Sequence, residues 1–174
     1  MSRGLGDVYK RQLSHRPIVI SHANPSFWHP AKRNKSDKIL LRLAENNGML
    51  GFSLYPHHLN NSSSCSIEDF CKMIAKTVEL MGIDHVGFGS DLCQDQPDSI
   101  VEWMRVGKWT KEIDYGEGSA SNPGFPDMPP WFRDNRDWHN ILSGLKTIGF
   151  NEQEINKIKG ENWFNFFKKS FTSV

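Results

Sequence analysis

The sequence predicts an α/β protein with a parallel sheet, because short apolar runs alternate with amphipathic segments. Apolar runs at 17–22, 49–55 and 84–91 are typical of buried strands. Two segments with apolar residues at helical spacing separate these runs. The resulting order of strand, helix, strand, helix, strand, with short connections, is typical of right-handed crossovers between parallel strands.

The first strand and helix have recognisable boundaries. Ile18, Val19 and Ile20 follow a proline and lead directly into Ser21-His22. After a loop that contains two prolines, Ser36 is a candidate N-cap. The predicted helix has the apolar stripe Ile39, Leu40, Leu43 and Ala44, and Gly48 stands where such a helix usually ends.

The later elements also carry start and stop signals. Ser66 with Asp69 resembles a capping box, and Gly82 is placed to end the helix that follows. Strand 84–91 then ends on Asp91. Two helices close the chain, one near 135–148 and one that starts from Asn151, with Glu154 three residues on.

A segment of about forty residues between Asp91 and Arg133 is rich in Gly, Pro and Trp. A loop of this length inside a domain is usually functional or a linker. Its tryptophans, Trp103, Trp109 and Trp131, favour an ordered lid.

Composition indicates one globular domain and excludes several classes of function. The chain has 174 residues and a net charge of +1, with no basic stripe for nucleic acid and no apolar run long enough to span a membrane. No signal peptide is visible. Three cysteines without metal-type spacing argue against a disulfide framework, and Cys71 on an apolar helix face is expected to be a buried thiol.

Chemistry in parallel α/β folds gathers at the carboxyl ends of strands. The three predicted strands end on His22, on Tyr55 with the nearby His57 and His58, and on Asp91. A histidine there can bind a metal, and an aspartate can bind a metal or move a proton. Each residue taken alone also fits a structural role, the aspartate as a helix cap.

Arg33 lies in the loop that follows His22. Its planar guanidinium matches a carboxylate through two hydrogen bonds, so it is a candidate to hold a substrate carboxylate. A solvated surface arginine is the alternative interpretation.

Four stretches together resemble the membrane dipeptidase family, also called renal dipeptidase or peptidase M19. They are PIVISHANP with Arg33-Asn34, VGFGSD, PPWFRDNRDW and IGFNEQEINKIKGENWFNFF, and the similarity runs from about Arg16 to Phe167. The resemblance implies a (β/α)8 barrel that hydrolyses dipeptides with two zinc ions bridged by a glutamate. It implies that His22 ligates one zinc, that Arg33 binds the substrate carboxylate, and that Asp91 handles the proton near the bridging water.

Two departures from the family pattern affect this expectation. After Asp91 the family commonly has an aromatic residue, an aspartate and a glycine, whereas this chain has Leu92-Cys93-Gln94. The family's His-x-Asp pair, bridging glutamate and second zinc histidine precede the strand of His22 and are absent here. A (β/α)8 barrel needs about 250 residues, so residues 13–174 are expected to be the C-terminal portion of one barrel domain.

Residues 1–12 include DVYKRQ, which resembles the translation of a transposon-end adapter used in sequencing libraries. We therefore expect residues 1–12 to be a non-native segment.

The leading hypothesis is a zinc dipeptidase whose chain is incomplete and, by itself, inactive. One alternative is a non-catalytic half-barrel that binds a small ligand through Arg33 and the tryptophan-rich loop. Another is a related metallohydrolase that acts on a different small amide. The resemblance fits a homodimer of the complete protein. The sequence leaves the compartment unknown; a cytoplasmic, bacterial-type location is favoured, with any N-terminal targeting information missing.

Overall fold

The computed structural model describes residues 17–100 and 125–172 of the chain. Residues 1–12, Trp103 and Trp109 therefore lie outside the described residues. Within the described part, no helix is both long and apolar enough to cross a membrane.

The described strands form a three-stranded parallel sheet in chain order. They are β1 (Val19–Ile20), β2 (Met49–Phe52) and β3 (Val86–Phe88). Val19 lies beside Met49, and Leu50 lies beside Val86. The prediction of an α/β protein with parallel strands is confirmed, although each strand is shorter than the apolar run that predicted it.

The structure gives complete bounds for five α-helices. They are α1 (Asp37–Glu45), α2 (Ile67–Met81), α3 (Trp138–Thr147), α4 (Glu152–Asn156) and α5 (Asn162–Thr172). A π-helical segment, Lys157–Glu161, joins α4 to α5, and a 3-10 turn, Asn135–Asp137, precedes α3. The chain therefore follows the predicted order of elements.

Local capping explains where several helices begin. The Ser66 hydroxyl accepts a hydrogen bond from the Asp69 N–H at 3.1 Å, and Asn151 and Glu154 form a full capping box. Ser36 precedes α1 as predicted, but its side chain makes no capping hydrogen bond. Gly82 ends α2 with a φ of 85°, in the left-handed region that glycine adopts without strain.

One prediction about the third strand is wrong. Residues 83–85 form a 3-10 turn before β3, and His85 lies in that turn. Its Nδ1–H donates to the Gly48 carbonyl at 3.0 Å, so His85 connects the start of β3 to the start of β2.

The core lies between the sheet and helices α1, α2 and α3. Its largest fully buried side chains include Phe52, Phe70, Phe132, Leu40, Leu50, Ile74 and Ile141. Cys71 is fully buried as expected, and burial raises the pKa of its thiol to about 12. Burial likewise raises the pKa of Cys65 to about 12.

Trp131 packs into the body of the protein. Its indole N–H donates to the Cys65 carbonyl at 2.7 Å, and its ring lies 5.3 Å from that of Phe70. Trp131 is therefore ordered against the body of the protein, and its membership of a lid stays a prediction.

Helix α5 presents two different faces. Trp163 packs against Gly87 and donates from its indole N–H to the Phe88 carbonyl at 2.9 Å. Phe164 and Phe171 are 68% and 75% exposed, and Phe167 is also exposed. Large exposed aromatic rings on one helix are unusual for a monomeric surface.

Candidate functional site

The predicted strand-end residues come together at one end of the sheet. His22 follows β1, Tyr55 lies just beyond β2, and Asp91 follows β3. The Nε2 atom of His22 lies 3.9 Å from Oδ1 of Asp91, with the two side chains 35% and 32% exposed. An imidazole and a carboxylate, both open to solvent, thus face each other although their strands are not neighbours.

Two glycines allow this approach. A Cβ atom on Gly51 in β2 would lie 2.1 Å from the Ser21 carbonyl oxygen, and one on Gly89 would lie only 1.6 Å from it. Any side chain at either position would push away the backbone that leads into His22. The missing Cβ atoms let the end of β1 reach the end of β3.

Asp91 has an unusual backbone. Its φ of 55° lies in the left-handed region, which aspartate tolerates better than most residues. Outliers of this kind cluster at functional sites. A cavity of about 310 Å³ opens beside it, with lining residues that include Tyr55, Cys93, Phe125, Arg133 and Asp134.

His22 has one nitrogen engaged and one directed to the site. Nδ1 lies 2.8 Å from the Ser21 hydroxyl oxygen, which fixes the ring and leaves Nε2 toward Asp91. This arrangement suits a histidine that offers Nε2 to a metal.

The donor set for a catalytic zinc is incomplete among the described residues. Residues 17–100 and 125–172 hold no group of three or more His, Cys, Asp or Glu side chains that could bind a metal ion. A catalytic zinc ion has about three protein ligands. The described residues therefore do not fit a complete zinc site, and His22 is the single ligand that the resemblance assigns among them.

His58 is a buried imidazole behind this pair. Its Nδ1 lies 2.8 Å from the hydroxyl oxygen of Ser53, and its ring packs against Tyr55. Burial, and next the positive charges of Arg33 and His22, lower the pKa of His58 to about 3. His58 is therefore neutral at physiological pH, and both Arg33 and His22 lie within electrostatic range of it.

Arg33 is half-buried near the base of a loop that closes on itself. Ser26 N–H donates to the Lys35 carbonyl at 2.8 Å, and Lys35 N–H donates to the Asn24 carbonyl at 2.9 Å. Asn34, the residue after Arg33, is buried. Arg33 thus lies on a closed loop at the same end of the sheet as His22.

The other candidate histidines take varied places. His57 and His58 both lie in a 3-10 turn just after β2, Pro56–His58, and only His58 is buried. The Nδ1–H of His139 donates to the Arg136 carbonyl at 2.9 Å on the exposed start of α3. His29 contributes its backbone carbonyl to Asn34.

Sequence reasoning missed the buried polar residues around Arg33. Asn24 hydrogen-bonds to Asn34 and to Ser53, and both asparagines donate to the His58 carbonyl. One signal was available, since Asn24 and Asn34 stand near the two ends of the loop that contains Arg33.

Comparison with protein families gives a direct match. A profile of the membrane dipeptidase family (peptidase family M19) matches residues 3–113. Dipeptidase aclJ of Aspergillus oryzae is 35% identical over 81 residues, which cover 45% of this chain and 19% of that protein. Dipeptidase tcpJ of Claviceps purpurea is 22% identical over 151 residues, which cover 86% of this chain and 28% of that protein.

Solved structures show the same fold over nearly all of the chain. An amidohydrolase from Pseudomonas aeruginosa superposes with a TM-score of 0.79 at 26% identity, over 96% of this chain and 49% of that one. A metallopeptidase from Rhodobacter sphaeroides, crystallised with a phosphinate mimic of the dipeptide L-Ala-D-Ala, gives a TM-score of 0.71 at 22% identity, over 97% and 40%. The chain spans about half the length of the amidohydrolase.

Proposed function

Because this chain belongs to the membrane dipeptidase family, peptidase family M19, we propose that it forms the substrate-binding edge of a zinc-dependent dipeptidase. The approach of His22 to Asp91, at 3.9 Å across the ends of β1 and β3, is the observation that carries the proposal. Arg33 lies on the same side of the sheet and is the candidate to bind a dipeptide's free carboxylate.

The proposal includes the architecture. Residues 13–174 form the C-terminal portion of one (β/α)8 barrel domain. Residues 1–12 are proposed to be non-native, although the family profile begins its match at residue 3. The chain order of the parallel strands supports a barrel portion. The coverage of 96% of this chain against 49% of the amidohydrolase supports a portion of about half.

Each site residue has a proposed role. Arg33 holds the substrate carboxylate with two parallel hydrogen bonds. Asp91 accepts a proton from the attacking water and delivers it to the leaving amine, which is general base and then general acid catalysis. His22 is the zinc ligand that this chain supplies, and the other ligands belong to a part of the protein outside it.

The first test concerns the source gene and the metal. We expect the DNA upstream of the Leu13 codon to continue in frame and to encode a His-x-Asp pair, a glutamate and another histidine. We also expect this chain alone to show no dipeptide hydrolysis and only weak zinc binding by equilibrium dialysis. A gene that starts at this chain would instead favour a half-barrel that binds a small ligand in the presence of chelators. Tight zinc binding by this chain alone would contradict the proposal that most zinc ligands lie outside it.

The second test concerns Arg33 in the complete gene product. Arg33→Ala should lower kcat/KM for free dipeptides by about 10- to 100-fold, since a hydrogen bond to a charged group contributes about 1.5–3 kcal/mol. Dipeptides with an amidated C-terminus should be hydrolysed at an unchanged low rate. Arg42→Ala, on the exposed side of α1, is the matched control. Unchanged turnover of free dipeptides by Arg33→Ala would point to a metallohydrolase of another small amide.

The third test concerns Asp91 in the same protein. Asp91→Asn keeps a side chain that tolerates the left-handed backbone, so the fold should be retained. Loss of the proton acceptor should lower kcat by about 100-fold or more with little change in KM. Asp127→Asn, an exposed carboxylate in a loop, is the control.

A further inference from the structure

We propose that Asn24 and Asn34 are positioning residues that fix the loop of residues 24–35, the Arg33 loop, against the end of β2. This inference rests on the proposed function, because it concerns how Arg33 is presented to a substrate carboxylate. Neither asparagine belongs to the proposed catalytic set.

The side chain of Asn24 uses both of its N–H donors and its carbonyl oxygen to join two segments. Its Nδ2 donates to the carbonyls of Ser53 at 3.0 Å and His58 at 3.1 Å, and its Oδ1 accepts from the Ser53 N–H at 3.1 Å. Asn24 is fully buried. Since Ser53 directly follows β2, these bonds attach the start of the Arg33 loop to that strand end.

Asn34 completes the network from the other end of the loop. Its Oδ1 accepts from the Asn24 N–H at 2.9 Å, and its Nδ2 donates to the carbonyls of His58 at 3.0 Å and His29 at 2.8 Å. The His58 carbonyl therefore receives one hydrogen bond from each asparagine. Arg33 is the residue immediately before this buried anchor, so its backbone has little freedom to move.

The network makes many hydrogen bonds with only two side chains. Two buried amides supply six hydrogen bonds, and every one connects the loop to itself or to the segment from β2 to His58. A fully satisfied buried polar network specifies one arrangement, because any slip would leave several polar groups unpaired. A guanidinium that must meet a carboxylate in two hydrogen bonds requires such fixed placement.

The first measurement uses this whole chain and no activity. Hydrogen exchange followed by mass spectrometry should show faster exchange over residues 25–36 in Asn34→Ala, with α2 unchanged. Asn46→Ala is the matched control, since its exposed Nδ2 donates only to the Arg42 carbonyl at 2.7 Å. If Asn34→Ala does not fold, Asn34→Ser keeps an acceptor near the Asn24 N–H in a smaller side chain. Unchanged exchange in the loop would overturn the proposal.

The second measurement uses the complete gene product. Asn34→Ala should raise KM for free dipeptides about tenfold while kcat stays within about threefold, because the carboxylate clamp is misplaced and the proton chemistry is not. In an Arg33→Ala background the same substitution should have no further effect on KM. Equal effects in both backgrounds would show that Asn34 acts without Arg33 and would overturn the positioning role.

The two measurements separate the failure of this inference from the failure of the proposed function. A complete wild-type protein that hydrolyses no dipeptide would refute the dipeptidase proposal. The exchange data would still decide whether the asparagines hold the loop.

Discussion

Gly89 is the glycine where an added methyl group should destabilise the fold most. In Gly89→Ala the new Cβ would lie 1.6 Å from the Ser21 carbonyl oxygen and 2.8 Å from its carbon. Ordinary contact begins at 3.4 Å, so two backbone segments must separate by about 1.8 Å. A flexible side chain cannot relieve this clash, because the atoms it meets belong to the backbone.

The size of the effect follows from the kind of contact. Overpacking a well-packed core costs about 1–3 kcal/mol, and a forced backbone shift places this substitution at or above the upper end. A loss of about 3 kcal/mol is a large part of the 5–15 kcal/mol that stabilises a typical domain. The same shift would move Ser21 and therefore the adjacent His22.

Urea denaturation of the chain, monitored by tryptophan fluorescence, measures this loss of unfolding free energy. Gly160→Ala is the matched control, because a Cβ there would meet nothing within 4 Å. We expect Gly160→Ala to stay within about 0.5 kcal/mol of the parent. If Gly89→Ala is as stable as Gly160→Ala, the close approach of β1 to β3 is not a feature of the folded protein.

Three further predictions concern titration, thiol reactivity and association. The pKa of His58 falls from 6.5 to about 3 on folding, so between these pH values only the unfolded chain binds this proton. The free energy of unfolding should therefore decrease by up to about 1.4 kcal/mol per pH unit below 6.5, and urea midpoints should show a weaker pH dependence in His58→Gln. Cys93 is exposed, so a thiol reagent should label it first in the folded chain and reach the two buried cysteines only in urea; equal labelling rates would contradict the burial. Phe164→Ser with Phe171→Ser should reduce self-association measured by light scattering with little change in melting temperature, because both rings are exposed; a monodisperse, cooperatively melting parent chain would refute this.

Much of the element order could be predicted from local signals. The Asn151–Glu154 capping box and the Ser66 cap are local, so sequence spacing was sufficient to find them. The apolar runs predicted where the strands end. They therefore also predicted that His22 and Asp91 lie at the same end of the sheet. Helix and strand lengths were less predictable, since the 3-10 turn before β3 depends on contacts with the start of β2.

The closeness of the site residues was beyond sequence reasoning for a physical reason. It depends on how closely the ends of β1 and β3 approach each other. Gly51 and Gly89 permit this only through contacts with Ser21, which follows β1. The asparagine network is equally non-local, because Asn24 meets Ser53 only after β1 and β2 have paired. In the sequence, these asparagines and glycines cannot be distinguished from ordinary loop residues.

The asparagine network also has a consequence for the order of folding. Its hydrogen bonds join residues between 5 and 34 positions apart, all of them within β1, α1, β2 and their connections. The entropic cost of closing a loop grows slowly with its length, and none of these bonds needs β3, so they can form before β3 has joined the sheet. Pulsed hydrogen exchange during refolding should protect residues 24–35 no later than β3. The Arg33 loop would then be ordered before β3 brings Asp91 to the site. The contact between His22 and Asp91 would be the last part of the site to form.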